Sequence, residues 1–450
     1  MTRPSAARSD LVTIAGAGPV GTLLAILLAR RGRQVHVFER RADPRLSSPE
    51  RGRSINLALA ARGLKALESA DTLARIIPEM VMMEGRQLHA IDGTQTFMPY
   101  GSRDSEVIYS ISRAHLSNAL IEAAANYSSI EFSFNTRCTG FDPSAGRLLL
   151  QDAGGAARAV AAPLLIGADG AASALRTALA GSGQLEVREL PLGHDYKEFL
   201  IEPCEGTWAL EPHALHIWPR GGFMLIALPN VDGSFTGTLF LCRDGTPGFA
   251  TLTSPAAIAD FFAREFPDVP PLLPQLCEQF EAHPQGHLAT LECRPWSAGG
   301  CVLIGDAAHA ILPFHGQGLN CGFEDCLLLD ELLAMHADPR SAFAVYEAAR
   351  RPNTAAIAAM ALENYQEMRD TVRAPQFPRR RELELRLEQL FPKRFIPRYS
   401  MVMFHAEIPY AEALRRGALQ EGILDELLAR GAGAAEDPKA LAQLLTSAGL

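Results

Sequence analysis

The sequence predicts an α/β fold in which an N-terminal βαβ unit is combined with a mixed β-sheet and a helical C-terminal segment. Four observations favour this class. The glycine-rich stretch Gly16–Gly21 stands between an apolar strand and a helical pattern. Two later apolar strands end in an aspartate beside a glycine, and strand-like runs broken by glycine turns cover residues 215–240. Residues 371–450 are charged and helical in pattern.

The bulk composition limits the classes of function. A chain of 450 residues exceeds what one hydrophobic core supports, so two or three domains are expected. The net charge of −9 argues against a nucleic-acid partner. The eight cysteines include no CxxC pair, which predicts reduced thiols in a cytoplasmic protein without a metal site. The uncharged stretch 12–29 has the length of a membrane span, but its early glycines and proline predict a strand, a turn and a helix instead.

The N-terminal motif has the G-x-G-x-x-G spacing of a Rossmann-like dinucleotide site. Gly16 is expected to make the tight turn, Gly18 to let the main chain approach a pyrophosphate, and Gly21 to let the helix pack on the strand. The helix N-terminus offers free N–H groups, and an acid that ends the next strand can accept hydrogen bonds from a ribose. The predicted dinucleotide contacts are Gly16, Gly18, Pro19, Val20, Gly21, Glu39 and Arg40. At this point either NAD or FAD fits.

Two further motifs favour FAD. The strand 164–168 ends in Asp169-Gly170 and is followed by Ser173 and Arg176, which open a helix, while the strand 301–304 ends in Gly305-Asp306. Each motif alone is also compatible with a tight turn or a helix cap. Together with the N-terminal unit, they place carboxylates that can bind ribityl hydroxyls beside helix N-termini that offset negative charge.

The three motifs resemble those of the group A flavoprotein aromatic hydroxylases, the para-hydroxybenzoate hydroxylase type. The resemblance implies that the first motif holds the ADP half of FAD and that the second serves both FAD and the pyridine nucleotide. It also implies that the third motif binds the ribityl-phosphate side and that the loop 313–318 lies along the isoalloxazine. Its further implied flavin contacts are Ala58, Arg113, Asp169, Asp306, Gly318, Leu319 and Asn320. Flavin halogenases share the scaffold, but their W-x-W-x-I-P motif is absent from this sequence.

Three more specific stretches, Arg51–Gly63, Pro313–Cys326 and Asn364–Asp370, are similar to those of the kynurenine 3-monooxygenase family in its bacterial, soluble form. The resemblance implies hydroxylation of L-kynurenine to 3-hydroxy-L-kynurenine in tryptophan catabolism by the kynurenine pathway, which leads to NAD biosynthesis. Tightly but non-covalently bound FAD, transient NADPH and O2 would be used, through a flavin C4a-hydroperoxide. The choice of NADPH over NADH rests on the family alone.

The family comparison also implies the substrate contacts. Arg86, Tyr100 and Asn364 would hold the carboxylate, because the planar guanidinium fork binds both of its oxygens, and Tyr399 would close the pocket. The implied ring pocket comprises Leu215, Met224, Ile226, Leu228, Phe240, Pro313, Phe314 and His315. Phe314 and His315 are the catalytic candidates, since they would wall the cavity. His315 would either assist proton movement or be a packed loop histidine.

The order of the motifs along the chain predicts a discontinuous flavin domain of residues 1–80, 103–185 and 290–370. Residues 81–102 and 186–289 would form the substrate-binding sheet, and residues 371–450 the helical segment. Two other functions stay open. The chain could hydroxylate another small aromatic acid on the same scaffold, or it could be a flavin-binding module without turnover. The sequence leaves monomer or dimer undecided.

Overall fold

The structure is a computed structural model that describes residues 11–46, 56–370, 376–430 and 437–450. Part of the family-specific stretch Arg51–Gly63, residues 51–55, therefore lies outside the described residues. The strands are β1 (Leu11–Ala15), β2 (Gln34–Phe38), β3 (Asn56–Leu59), β4 (Met80–Met83), β5 (Gly85–His89), β6 (Gln95–Pro99), β7 (Ile108–Ser112), β8 (Ile130–Ser133), β9 (Thr136–Asp142), β10 (Arg147–Asp152), β11 (Ala157–Ala161), β12 (Leu165–Gly167), β13 (Glu186–Ile201), β14 (Ala214–Pro219), β15 (Met224–Pro229), β16 (Phe235–Cys242), β17 (Gly286–Arg294), β18 (Ser297–Ala298) and β19 (Cys301–Leu303).

Helices surround and connect these strands. They are α1 (Pro19–Arg30), α2 (Ala61–Ser69), α3 (Leu73–Ile76), α4 (Arg113–Ala124), α5 (Ala174–Gly181), α6 (Pro255–Glu265), α7 (Leu276–Ala282), α8 (Asp306–His309), α9 (Gly318–Met335), α10 (Pro339–Arg369), α11 (Phe377–Leu390), α12 (Arg398–Met403), α13 (Tyr410–Arg430) and α14 (Pro438–Ser447). In the described part of the chain, no helix combines the length and the apolar composition that crossing a bilayer needs.

A six-stranded sheet brings the three sequence motifs together. Its strand order is β18-β19-β12-β1-β2-β8, and all pairs are parallel except β18 with β19. Helix α1 packs against α4 and α9 beside it. The strands β1, β12 and β19 are apolar without alternation because both faces of the sheet are buried there. Since parallel strands end at the same edge, the carboxyl ends of β19, β12, β1 and β2 lie side by side. This edge is where ligands of open α/β sheets bind.

A seven-stranded sheet forms the second layer, in the order β17-β13-β16-β15-β14-β5-β6. It is mixed, as predicted, because β5 and β14 are parallel while the other pairs are antiparallel. Arg86 is in register with Leu215, and Met224 is in register with Phe240. Since side chains alternate between faces, these four lie on one face together with Ile226 and Leu228. The opposite face packs against α6 and α7.

Helices α11 to α14 confirm the predicted helical C-terminal segment, although residues 371–375 and 431–436 lie outside the described residues. The fold class is confirmed as well. The domain division stays a prediction, and its boundary at residues 289/290 falls inside β17. All eight cysteines are free thiols in the structure.

Candidate active site

The glycine-rich turn after β1 has the steric features that its motif predicts. Gly16 has φ +104°, and a Cβ atom there would lie 2.4 Å from the carbonyl oxygen of Ala168. A Cβ at Gly21 would lie 2.1 Å from the carbonyl oxygen of Gly16, so α1 packs too closely on the turn for any side chain. A Cβ at Gly18, in contrast, would point into open space. That space lies at the N-terminus of α1, which begins at Pro19 and receives no side-chain cap from the described residues.

Glu39 follows β2 at the same sheet edge and is buried. Its Oε2 accepts a hydrogen bond from the Ala17 amide at 2.9 Å, and its Oε1 accepts from the Arg41 side chain at 2.8 Å. Burial opposes ionisation, but the hydrogen bonds and charge of Arg41 outweigh it and lower the pKa of Glu39. The carboxylate is therefore an anion that can accept further hydrogen bonds, whereas neighbouring Arg40 is exposed.

Asp169 follows β12, and its two carboxylate oxygens have different surroundings. Its Oδ2 accepts hydrogen bonds from the amides of Ala174 and Leu175 at 2.8 and 3.3 Å, so the carboxylate caps α5, which is one of the two interpretations that the sequence left open. Its Oδ1 is buried without a hydrogen-bond partner among the described residues. Burial raises the pKa of Asp169. An orphaned acceptor at this edge is available to a ligand donor such as a hydroxyl group.

Asp306 begins α8 immediately after Gly305, whose φ is +56°. The residue is exposed although the strand before it is buried, so its carboxylate is accessible to a ligand at the sheet edge. The surrounding protein nevertheless desolvates the carboxylate and raises the pKa of Asp306, while the charges of His309 and Arg113 act in the opposite direction. Arg113, at the start of α4, is therefore within electrostatic reach of this carboxylate.

Asn320, near the start of α9, anchors the loop 313–318 through hydrogen bonds of its side-chain amide. Its Oδ1 accepts from the amides of Ala60 and Gly63 at 2.9 and 3.1 Å, and its Nδ2 donates to the carbonyls of Ala58 and Gly316, both at 2.8 Å. The amide group is fully used by the protein, so only the main chain of Asn320 is left for a cofactor. Gly318 and Leu319 are half-buried in the first turn of the helix.

This edge fits FAD. Four features lie side by side at the ends of neighbouring strands. They are the open space at Gly18, the N-terminus of α1, the unpaired oxygen of Asp169 and the exposed carboxylate of Asp306. Together they offer the positive end of a helix dipole to a diphosphate and hydrogen-bond acceptors to the ribityl and ribose hydroxyls. The contacts predicted for each residue stay predictions.

A cavity of about 130 Å³, large enough for a small molecule only, lies between the seven-stranded sheet, α10 and the C-terminal helices. It brings together five of the predicted substrate residues. They are Arg86, Tyr100, His315, Asn364 and Tyr399, and the remaining lining is Met98, Pro99, Glu367, Phe377, Arg380, Arg381, Glu384, Arg398, Gly417, Gln420, Glu421 and Leu424. Tyr399 stacks on Tyr100 and on His315, with ring centroids 5.7 and 5.5 Å apart, and so forms the centre of the wall.

Arg86 is the buried cation of this cavity. Its guanidinium lies 4.7 Å from the Tyr399 ring centroid, and Nη1 lies 3.4 Å from Glu367 Oε1. Burial disfavours its charge, but Tyr399 and Glu367 raise the pKa of Arg86 above its ordinary value. Its Nε and the Tyr100 hydroxyl are buried without hydrogen-bond partners among the described residues. Unused hydrogen-bonding atoms beside a permanent cation suit a carboxylate ligand.

The apolar residues predicted for the ring pocket lie next to this cavity rather than in its lining. Leu215 and Ile226 are half-buried and pack on two clusters, one with Tyr100 and Leu228 and the other with Met224, Phe240 and Phe314. The Phe314 ring stacks on Tyr365 at 3.9 Å and meets Phe240 edge-on at 4.9 Å. Pro313 is exposed, and Asn364 Nδ2 donates to the Phe314 carbonyl at 2.6 Å. The loop is thus tied to α10, and its role as a cavity wall stays a prediction.

His315 is expected to remain neutral. Burial lowers its pKa to about 3, and its Nδ1 has no partner among the described residues. A general acid or base works best with a pKa near the operating pH, so these facts favour the packed loop histidine over a proton carrier. Below pH 6.5 the unfolded chain binds a proton that the folded protein does not, so stability falls as the pH falls from 6.5 towards 3.

The His315→Gln variant tests this directly. Without the imidazole, the free energy of unfolding, measured by urea denaturation, should fall less between pH 6.5 and about 4.5 than it does in the wild type. An equal fall in the two proteins would mean that His315 titrates normally in the folded state.

The sequence predicted none of the remaining lining residues, and two of these, Glu367 and Arg381, contact the predicted ones. Glu367 lies three residues after Asn364 on α10, so helical spacing could have placed it on the same face. Arg381, on α11, donates to the Tyr100 carbonyl at 2.6 Å. No local sequence pattern indicates the contact between Arg381 and Tyr100, because these residues are 281 positions apart in the chain.

The chain matches the family model described as an FAD binding domain over residues 10–194 and 275–361. Among solved structures, it is similar to 2-methyl-3-hydroxypyridine-5-carboxylic acid oxygenase, with a TM-score of 0.67 and 19% identity over 82% of this chain and 95% of that one. It is also similar to PqsL of P. aeruginosa, crystallised with 2-aminobenzoylacetate, with a TM-score of 0.65 and 20% identity over 80% and 96% of the two chains. The fold and the FAD-domain match define the class of FAD-dependent monooxygenases of the para-hydroxybenzoate hydroxylase type.

Three curated relatives are similar over almost the whole chain, and each is a kynurenine 3-monooxygenase. The protein of Xanthomonas euvesicatoria is 49% identical over 92% of this chain and 91% of its own length. The protein of Stenotrophomonas maltophilia is 48% identical over 92% of both chains, and that of Myxococcus xanthus is 45% identical over 98% and 96%. The chain belongs to the kynurenine 3-monooxygenase family.

Proposed function

We propose that the protein hydroxylates L-kynurenine to 3-hydroxy-L-kynurenine in the cytoplasm, with FAD as cofactor and NADPH and O2 as co-substrates. One observation carries the choice of substrate within the flavin monooxygenase class. Arg86, Tyr100, Asn364 and Tyr399, which lie far apart in the sequence, line a single cavity that also contains His315 from the flavin loop. Family membership supports the same choice.

The chain's contribution to the cofactor is binding and orientation. The α1 N-terminus and Gly18 would receive the pyrophosphate, Glu39 the adenosine ribose, and Asp169 and Asp306 the ribityl side. When bound, FAD takes up reducing equivalents from NADPH and activates O2, which supplies the oxidising chemistry that amino-acid side chains lack.

The contribution to the substrate is to fix its amino-acid head and to exclude water. In the proposal, Arg86 binds the kynurenine carboxylate through its fork, and the Tyr100 hydroxyl donates a second hydrogen bond. The aromatic ring would then extend towards Leu215, Ile226 and Phe314, between the sheet and the loop. A fixed head places one ring carbon near the flavin, and an apolar wall keeps water from the reacting atoms.

The test measures NADPH oxidation by the FAD-loaded protein with L-kynurenine, anthranilate or 4-hydroxybenzoate. L-Kynurenine should accelerate NADPH oxidation and give a product heavier by one oxygen atom, with little H2O2. Stimulation and oxygen transfer with only another acid would support the alternative aromatic hydroxylase. A protein that binds FAD but transfers oxygen to none of the three would contradict the proposed reaction and favour a flavin-binding module.

A further inference from the structure

A buried carboxylate behind the flavin edge, Asp325 on α9, joins three elements. The side chain is fully buried. Its Oδ2 accepts from the Gly305 amide at 3.0 Å and from His309 Nε2 at 2.6 Å, while its Oδ1 accepts from Arg350 Nε at 2.7 Å. One carboxylate therefore holds the end of the β19 turn, the end of α8 and the middle of α10.

The contact at Gly305 controls the direction of the neighbouring Asp306. Gly305 has φ +56° and ψ −143°, a conformation that side chains rarely adopt, and it is the residue that carries the chain from β19 into α8. Its amide and the side chain of His309, the last residue of α8, both point at Asp325. From the other side, Arg176 Nη1 donates to the Ala307 carbonyl at 3.0 Å. The short helix that begins with Asp306 is thus clamped at both sides.

The same cluster has the composition of a metal site, since donor atoms of His309, Cys321 and Asp325 lie within 4.8 Å of one another. The guanidinium of Arg350 already supplies the cation. In addition to its bond to Asp325, its Nη2 donates to the carbonyl and the sulfur of Cys321, both at 3.1 Å, and its Nη1 donates to Glu324 at 2.9 Å. Burial would protonate an isolated carboxyl here, but His309 and Arg350 lower the pKa of Asp325 to about 2. The group stays ionised at physiological pH.

We infer that Asp325 is a positioning residue for the cofactor, which acts by fixing Gly305 and α8 so that the Asp306 carboxylate faces the flavin cleft. The inference rests on the proposed function, because it assumes that FAD binds at this edge. It assigns Asp325 no contact with FAD. The prediction is that the charge of Asp325 sets FAD affinity and flavin environment, beyond its contribution to stability.

The Asp325→Asn variant tests the inference, since asparagine keeps the shape but offers one acceptor oxygen and an amide to three surrounding donors. Asp330→Asn is the matched control. Asp330 is also a buried carboxylate on α9, and its Oδ2 pairs with Arg31 at 2.7 Å, away from Gly305. FAD is titrated into each apoprotein, with the folded fraction measured by far-UV circular dichroism and the bound flavin by visible circular dichroism.

The Kd for FAD should rise about 10- to 100-fold in Asp325→Asn, the size typical when a group that orients a metal ligand is lost, since Asp325 would orient Asp306 in the same indirect way. The visible spectrum of the bound flavin should change as well. The Kd of Asp330→Asn should stay within about threefold of wild type. Equal Kd values and spectra for the two variants would overturn the inference.

Folding and the proposed function are kept separate in this design. If Asp325→Asn does not fold, His309→Leu decides, because leucine removes the donor that ties the end of α8 to Asp325 and leaves Asp325 itself in place. Its Kd should rise in the same direction, and a wild-type Kd with an unchanged flavin spectrum would overturn the inference. A wild-type apoprotein that takes up no FAD would instead contradict the proposed function.

Discussion

The Arg86→Met variant is expected to lose about 30-fold to several-thousand-fold in kcat/KM for L-kynurenine. Truncating one side of a buried charged pair typically costs about 2–5 kcal/mol, and about 1.4 kcal/mol corresponds to a factor of ten. The substrate carboxylate would lose the buried guanidinium of Arg86 and would keep the Tyr100 hydroxyl. Steady-state kinetics of NADPH oxidation with product quantification measure the effect.

The folded protein should tolerate this change. Methionine replaces the apolar stem that packs beside Tyr399, and the Glu367 side chain left without its partner is 36% exposed, so water can solvate it. FAD content should also be unchanged, because Arg86 lies on β5, outside the strands that form the flavin edge. The loss should therefore appear in substrate dependence, while the slow basal reduction by NADPH persists.

Two further variants test whether the loss is specific to the guanidinium of Arg86. Lysine at position 86 should restore only part of the activity, because an ammonium group is a point charge without the planar fork. Arg243→Met is the matched control, since Arg243 pairs with Asp195 at 3.1 Å just beyond the end of β16, on the same sheet. Its kcat/KM should stay within about threefold of wild type. A similar value for Arg86→Met would contradict the carboxylate assignment.

Much of the flavin edge could be predicted from sequence because its residues are constrained locally. The spacing of Gly16, Gly18 and Gly21 predicts a tight turn and a close contact between helix and turn, and the structure contains both. The two aspartates that end strands reach the same place because parallel strands share an edge, which follows once β12 and β19 are recognised as strands. The face shared by Arg86 and Leu215 follows from alternation along β5 and β14.

The remaining features depend on contacts between distant segments, which spacing does not encode. Asn320 was predicted beside the cofactor, but its amide is used entirely in tying the loop to residues more than 250 positions earlier. Asp325 has no local signal at all, since its partners Gly305 and Arg350 are 20 and 25 residues away on different elements. The division of the apolar residues between cavity wall and core is likewise a matter of side-chain packing, which hydrophobicity alone does not decide.

The Gly18→Val variant is expected to fold normally and to lose FAD binding, with a Kd raised by at least about 100-fold, which corresponds to roughly 2.7 kcal/mol. Gly18 has φ −70° and ψ 175°, which any residue adopts. Apart from its two neighbours in the chain, no described residue has an atom within 4 Å of the Cβ that a side chain would add. The valine methyl groups would therefore occupy open space at the α1 N-terminus, where the pyrophosphate is proposed to bind. The same change at Gly16 or Gly21 would clash with main chain at 2.4 or 2.1 Å, so it would report on folding rather than on the cofactor.

The matched control for this change is Gly181→Val, at the far end of α5. A Cβ at Gly181 also meets nothing within 4 Å, so both variants add the same bulk to open space, but only one adds it at the flavin edge. Thermal unfolding of the two apoproteins should be similar, whereas FAD titration followed by flavin fluorescence should separate them. A yellow Gly18→Val protein with the wild-type Kd would show that the pyrophosphate does not use the space at this helix N-terminus. Because fold and affinity are measured on the same sample, loss of FAD through misfolding would be recognised by a lowered Tm and would not count as support.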